Sequence, residues 1–256
     1  MSGQRDGDTR CARWTRRAQP LLGTLVEIGI HWSGDEAHAV LEAAFAAVRE
    51  AQACLSLFEA DSDLARFHAL RVGESMALRA PTQQVLAAAR ALQIGSDGAF
   101  DISLGTAPHG WWYEAERLHK LDADVRLDLG GIGKGHAVDC AVDALIARGG
   151  DAGWVNAGGD LRTFGAAELP IRLRDESGGG ARPFASLRDG AFATSHYDRH
   201  SRSRLARGTS ARTAPAHVSV AAPLCLWADA LTKVVAISGD TAHPMLARFG
   251  AQAWLH

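Results

Sequence analysis

Apolar and polar positions alternate or recur along this chain in ways that predict most of its regular structure. Val26, Ile28 and Ile30 share one side of Leu25–His31, the period of a half-buried strand. Ala37, Val40, Leu41, Ala44, Phe45, Val48 and Ala51 then form one helical stripe. Ser33 and Glu36 have the spacing of a capping box for that helix. A second helix is expected from about Pro81 to Ile94, with proline near its first turn and Gly95 after its end. Val125, Leu127 and Leu129 alternate with Arg126 and Asp128, which predicts a strand. Val138, Val142, Leu145 and Ile146 follow on one helical face, with Gly149 suited to the C-terminal cap. Short strands are expected at Gly153–Asn156, around Ile171 and Leu173, and at His217–Ala222. Ser177 to Gly180 reads as a hairpin tip or loop, and helices are expected at about Ala228–Ile237 and Met245–Phe249. The order of elements is mixed rather than a strict strand–helix alternation, so the expected class is α+β, a single layered domain over residues 20–256. Residues 1–19 are polar and expected to be disordered.

The segment from Leu127 to Asp139 carries the most chemistry. It leads from a carboxylate at Asp128 through Gly130, Gly131 and Gly133 to Lys134 at a helix start. Glycines let a backbone approach a ligand closely, and a helix N-terminus favours phosphate. The standard nucleotide loops do not fit. A P-loop needs Gly where Asp128 stands and Ser or Thr where Gly135 stands, and the dinucleotide pattern counted from Gly131 and Gly133 ends on His136.

Composition narrows the class. The chain has 256 residues, 47% hydrophobic and 22% charged, as an ordinary globular protein does. A formal net charge of −2 argues against a nucleic-acid partner. No apolar run is long enough to span a bilayer. Cys11, Cys54, Cys140 and Cys225 are widely spaced with no C-x-x-C pair, so free thiols are expected. Arg10, Arg13, Arg16 and Arg17 are not followed by an apolar core, so the N-terminus does not read as a secretory signal and the expected location is cytoplasmic.

Short motifs in sequence order give the chain a family likeness. They are Leu22-Gly23-Thr24, then Leu55 to Leu64 with Ser56, Phe58, Ser62 and Asp63, then Gly98-Ala99-Phe100-Asp101. Asp128 to Asp139, Asn156 to Asp160, Ala193-Thr194-Ser195 and Ala228-Asp229-Ala230-Leu231 follow. Together these resemble the motifs of the ApbE family, the FAD:protein FMN transferases, over roughly residues 20–250.

The resemblance implies a reaction. FAD is cleaved at its pyrophosphate, FMN is placed on a Thr or Ser hydroxyl of a client protein, and AMP leaves. It implies FAD as substrate and Mg²⁺ as the ion that neutralises the pyrophosphate. Leu22, Phe58, Ala99, Phe100, Asp101, Asp128 and Lys134 would contact FAD, with Asp101, Asp128 and Lys134 taking part in the chemistry. Gly131 through its carbonyl, Asp229, and Thr232 as a second candidate would hold the metal. The same family frame leaves two alternatives open, an FAD pyrophosphatase and a non-catalytic flavin-binding protein.

Each residue also has a plainer reading. Phe58 could be core packing, Asp101 a loop-turning residue, Asp128 a solvated side chain, Lys134 an exposed first-turn lysine, and Asp229 an N-cap. His196 and His200, four apart with Asp198 between them, form a candidate metal pair if helical.

The chain departs from the family pattern at two places. Where the family has Thr four residues after the metal Asp, this chain has Lys233, and Thr232 falls one residue early. An ammonium offsets charge but cannot coordinate a cation. The family's His-x-x-Asp-Pro segment is replaced by Arg207-Gly208-Thr209-Ser210-Ala211, so no histidine role carries over. The mostly polar Arg199–Arg212 stretch is a candidate docking surface for a client.

Overall fold

A computed structural model describes residues 13–174, 179–197 and 217–256. In chain order the first elements are strands β1 (Arg13–Leu21) and β2 (Thr24–Trp32), helices α1 (Ala37–Leu55) and α2 (Asp63–Ala69), strand β3 (Ser75–Ala77) and helix α3 (Ala80–Gly95). Strands β4 (Trp111–Glu114) and β5 (Arg117–Lys120), helix α4 (Gly133–Ala147), and strands β6 (Ala152–Ala157), β7 (Asp160–Phe164), β8 (Glu168–Arg174), β9 (Ala181–Arg188) and β10 (Ala191–His196) follow. Strand β11 (His217–Ala222), helices α5 (Cys225–Ser238) and α6 (Pro244–Arg248), and strand β12 (Gln252–Leu255) complete the described chain.

The main sheet has seven strands in the order β1-β2-β6-β7-β10-β11-β12, with every neighbouring pair antiparallel. The stretch from α1 to α4 is an excursion between the adjacent strands β2 and β6. It contributes the small β3-β5-β4 sheet and most of the helices, so the fold is α+β as expected.

Two apolar cores result. In the first, Val26, Ile28, Ile30 and Val155 of the sheet meet the α1 stripe and Ala137, Val138, Ala141, Val142 and Leu145 of α4. The second gathers α3, the buried face of α5 and the small sheet around Phe67, Leu86, Leu92, Trp111 and Leu118. The β8–β9 hairpin covers part of the sheet's other face, packing Ile171 and Leu173 on Phe192 with Phe184 and Trp254 beside them.

Several expectations need correction. From Arg13 onward the N-terminal segment expected to be disordered forms β1, paired along its length with β2, while residues 1–12 lie outside the described residues. Val125, Leu127 and Leu129 are buried with Arg126 exposed between them, as the alternation implies, but they form no strand. Their backbone N–H groups find other acceptors: Arg126 donates to Thr106 Oγ1 (3.1 Å), Leu127 to His68 Nε2 (2.9 Å) and Asp128 to the Ile102 carbonyl (2.8 Å). Ser33 and Glu36 form no capping box, because α1 starts at Ala37 with Glu36 itself in the cap position and no side-chain bond there. Ile146 is exposed, unlike Val138, Val142 and Leu145. Helix α5 starts at Cys225, which places Asp229 in its second turn rather than at its cap.

Asp139 supplies the missing cap. Its carboxylate accepts from the backbone N–H groups of Cys225 (2.9 Å) and Leu226 (2.8 Å) and pairs with Arg162 at 3.0 Å. One buried side chain on α4 thus ties down the start of α5 and strand β7. The two helices cross closely at Gly135, where a Cβ would collide with the Cys225 carbonyl oxygen. We expect Asp139→Ala to lower unfolding stability by roughly 2–4 kcal/mol, since it leaves two buried N–H groups without an acceptor and Arg162 with only the more distant Asp143 at 3.5 Å. Urea denaturation checks this, and a loss under about 1 kcal/mol would refute the assignment.

Candidate functional site

A cavity of about 840 Å³ opens between the two cores. Its wall is built by the β1–β2 turn, the end of α1 and the loop after it, the Ala99–Leu104 loop, the glycine turn before α4, β10 and one face of α5. The volume falls in the range of roughly 300–1,000 Å³ common for small-molecule sites.

Leu22, Phe58, Ala99, Phe100, Asp101, Asp128, Gly131 and Lys134 all line this cavity. Leu22 sits in the two-residue β1–β2 turn with a left-handed φ of 55°, followed by Gly23 at 71°. Its N–H is held by Gln52 Oε1 at 2.7 Å. Leu104, also on the cavity wall, has a φ of 51°. Non-glycine residues in this region are strained and concentrate where ligands are clamped. Phe58 is 97% exposed, so its ring is not core packing. It extends from a loop in which Ser56 Oγ accepts from the N–H groups of Phe58 (3.0 Å) and Glu59 (3.3 Å).

The carboxylate of Asp101 is already engaged by protein. It accepts from Ser103 N, Ser103 Oγ and Gly105 N, each at 2.8 Å. The side chain therefore shapes the loop that carries Ala99 and Phe100, which is the plainer of its two readings. Asp128 Oδ1 accepts from Gly130 N at 2.7 Å, turning the chain toward Gly131.

Lys134 and Lys233 line the cavity, and two aspartates outside the lining pair with them, so four charged side chains meet from three elements. Lys134 of α4 pairs with Asp160 at the start of β7, and Lys233 of α5 pairs with Asp229 one turn before it. Asp160, Asp229 and Lys233 are buried, and Lys134 is half-buried. Burial raises the Asp160 carboxyl, the Asp229 charge adds to the rise, and the outcome is about 6 despite Lys134. Burial also works to raise Asp229, but the Lys233 and Lys134 ammoniums outweigh it and hold Asp229 below its ordinary value. Burial opposes the charge on both lysines, yet the nearby carboxylates, Asp229 foremost, raise each above the usual lysine value. At neutral pH the quartet thus holds two positive and two negative charges.

The expected Mg²⁺ site does not fit this arrangement. Lys233 Nζ donates to Asp229 Oδ1, to the Asp229 carbonyl at 3.0 Å and to Ser195 Oγ at 3.1 Å. Asp229 Oδ2 accepts from Gly135 N at 3.2 Å. Thr232 Oγ1 donates to the Asp229 carbonyl at 2.6 Å and lies 2.8 Å from Ser195 Oγ, with Tyr197 OH at 3.4 Å. Gly131 packs against the Lys233 stem, a Cβ there lying 3.2 Å from Lys233 Cε. Gly131 and Asp229 thus both border Lys233, Thr232 bonds to the Asp229 carbonyl, and the Lys233 ammonium takes the Asp229 and Ser195 oxygens. Among the described residues no group of three or more His, Cys, Asp or Glu side chains is placed to hold a metal ion.

The phosphate reading of the α4 N-terminus is also narrowed, since Gly133 N donates to the Leu129 carbonyl (2.7 Å) and Gly135 N to Asp229. His196 ends β10 with its ring 4.3 Å from that of His217, while Asp198 and His200 lie outside the described residues. So do Cys11 and the Arg199–Arg212 and Arg207–Ala214 stretches. Cys54, Cys140 and Cys225 are free thiols.

Sequence reading assigned no role to Asp160, Ser195 or Gln52. Asp160 and Ser195 stand in motifs already noted, Asn156–Asp160 and Ala193–Ser195, so a signal was present without a role. Nothing local marks Gln52, which is one polar residue on a helix.

This combination defines an α+β protein with an antiparallel sheet and a cavity of small-molecule size whose wall carries two buried lysine–aspartate pairs. Comparison with known proteins gives it a family. The sequence profile of the ApbE family matches residues 22–255, and the chain belongs to that family. It is 26% identical over 283 residues to the FAD:protein FMN transferase of Treponema pallidum (strain Nichols), covering 87% of this chain and 78% of that one. The fold is shared with the Pseudomonas stutzeri flavinyl transferase ApbE in its apo form, at a TM-score of 0.80 and 24% identity over 94% of this chain and 90% of that one. It is shared equally with the flavin transferase ApbE from Vibrio cholerae, at 0.81 and 20% identity over 96% and 94%. No helix among the described residues is long and apolar enough to cross a membrane.

We expect Asp101→Ala to loosen the Ser103–Thr106 loop and cost roughly 2–3 kcal/mol, because it removes a charged acceptor from three donors. Faster amide exchange at Ser103 and Gly105 reports this directly. Unchanged exchange there would mean that Asp101 does not hold the loop.

Proposed function

We propose that this chain is an FAD:protein FMN transferase, which takes FAD as substrate and links FMN through a phosphoester to a Thr or Ser hydroxyl of a client protein. One observation carries this reading: the seven residues assigned to FAD by family likeness come from four separate stretches of sequence, yet all line one cavity. The activity named for the Treponema relative agrees with it.

In this reading Phe58 stacks on a ring of FAD, Leu22 and the Ala99–Phe100 backbone bound the pocket, and the pyrophosphate faces the glycine turn and Lys134. The client oxygen attacks the phosphorus of the FMN half. The bond from that phosphorus to the bridging oxygen breaks, AMP leaves with that oxygen, and the hydroxyl proton is released. Lys134 offsets the charge that develops on the departing phosphate. Its pairing with Asp160 positions the ammonium at the floor in advance of binding. Asp128 lines the same wall and keeps the turn before Lys134 in shape through its bond to Gly130. No step is assigned to a protein-held Mg²⁺, because Lys233 fills that place.

Incubation with FAD and a client fragment bearing an accessible Thr or Ser should yield AMP and a client heavier by one FMN. AMP and free FMN without an adduct would instead make the protein a pyrophosphatase. FAD binding without AMP would make it a flavin carrier. Phe58→Ala should leave thermal stability unchanged, since the ring is exposed. It should weaken FAD binding by about fivefold, in line with roughly 1 kcal/mol for an aromatic stack. Fluorescence titration measures this, and unchanged affinity would remove Phe58 from the FAD site.

A further inference from the structure

Lys233 is the buried cation whose place the transferase reading leaves unexplained. Its three N–H donors go to three oxygens, those of the Asp229 carboxylate, the Asp229 carbonyl and the Ser195 hydroxyl. These are the oxygen donors that a hard divalent cation would take. The stem of Lys233 reaches this position along Gly131, where the missing side chain leaves it room. The ammonium also borders the cavity on which the pyrophosphate would lie. A second cation placed here would have to take oxygens from the ammonium and sit within a few ångströms of it, with strong like-charge repulsion at low dielectric.

We propose that Lys233 is a tethered replacement for the divalent cation, so that this protein binds and cleaves FAD without a metal held by its own side chains. The ammonium offsets phosphate charge as a fixed point charge and stays bonded to Asp229 throughout. Ser195 Oγ, a neutral acceptor, is the partner that a phosphate oxygen displaces. The transfer keeps the balance given above: the client oxygen–phosphorus bond forms, the bridging bond breaks, AMP leaves and a proton is released. The activity arm of the test rests on the transferase reading, and the binding arm does not.

The test compares the wild type with Lys233→Thr and Lys233→Met. Wild-type FMN transfer to a client should be the same within twofold in excess EDTA and in millimolar Mg²⁺. Lys233→Thr frees the Asp229 and Ser195 oxygens, so it should lose at least tenfold in EDTA and recover with Mg²⁺. Lys233→Met, of similar length without the charge, tests the effect of the ammonium alone and should lose activity in EDTA. In parallel, Mn²⁺ binding is followed by electron paramagnetic resonance with AMP present, against AMP alone. The wild type should add no site beyond AMP itself, and Lys233→Thr should add one. Wild-type activity that collapses in EDTA and returns with Mg²⁺, or a wild-type Mn²⁺ site, would overturn the proposal. If no client is modified under any condition, the transferase reading fails while the Mn²⁺ result still decides the role of Lys233. If Lys233→Thr does not fold, the wild-type EDTA and Mn²⁺ measurements decide it alone.

Discussion

The buried quartet of Lys134, Asp160, Asp229 and Lys233 is the interaction on which this site depends. Its members come from α4, β7 and α5: Lys134 meets Asp160 only when α4 and β7 are in place, and the Asp229–Lys233 pair within α5 is brought beside them by the packing of the two helices. Taking charges out of water is expensive, and removing one partner of a buried pair leaves the other uncompensated. The quartet therefore contributes less to net stability than to uniqueness, since a shift of α4 against β7 would part Lys134 from Asp160 and leave buried charge alone, while Asp229 and Lys233 stay paired within α5. Asp139 and Gly135 enforce that register, one by capping α5 and the other by letting the two helices touch.

The cavity follows from this constraint. α4 packs in one core and most of α5 in the other, and the cavity lies where loops that anchor Phe100, Ile102 and Leu129 in the second core turn their backbone toward it. The strained turn at Leu22, the loop organised by Asp101 and the exposed Phe58 ring all face that gap. A charged, partly rigid floor beneath a wall with an exposed aromatic side chain suits a ligand that is apolar at one end and anionic in the middle. FAD, the substrate proposed for this chain, has that character.

Metal chemistry in such a pocket is a matter of which cation neutralises phosphate. A divalent ion supplies two charges and open coordination positions, whereas an ammonium supplies one charge and three hydrogen-bond donors. With Lys233 in place the quartet is neutral overall, and added phosphate is met by Lys134 and Lys233 rather than by an excess of positive charge. In the arrangement proposed for Lys233, one charge is traded for independence from metal supply.

The helices were largely legible in the sequence because a helix that buries one face must repeat its apolar residues with the helical period, and α1, α3 and α4 do so. The family motifs were legible for a similar reason, since each is a short run whose residue types survive as text. What the text could not carry was the partner of each polar group. Val125 to Leu129 alternates like a strand, but whether an extended segment joins a sheet depends on a neighbour elsewhere in the chain, and here Thr106, His68 and Ile102 answer instead. Asp139, Asp101 and Asp229 look alike in sequence as acidic residues in short motifs. Only the tertiary structure makes the first a cap for a helix 86 residues away, the second a loop anchor and the third the counter-ion of Lys233. Periodicity reports which face of an element is buried, while hydrogen bonds and ion pairs depend on distances between residues far apart in the chain, and those exist only once the chain has folded.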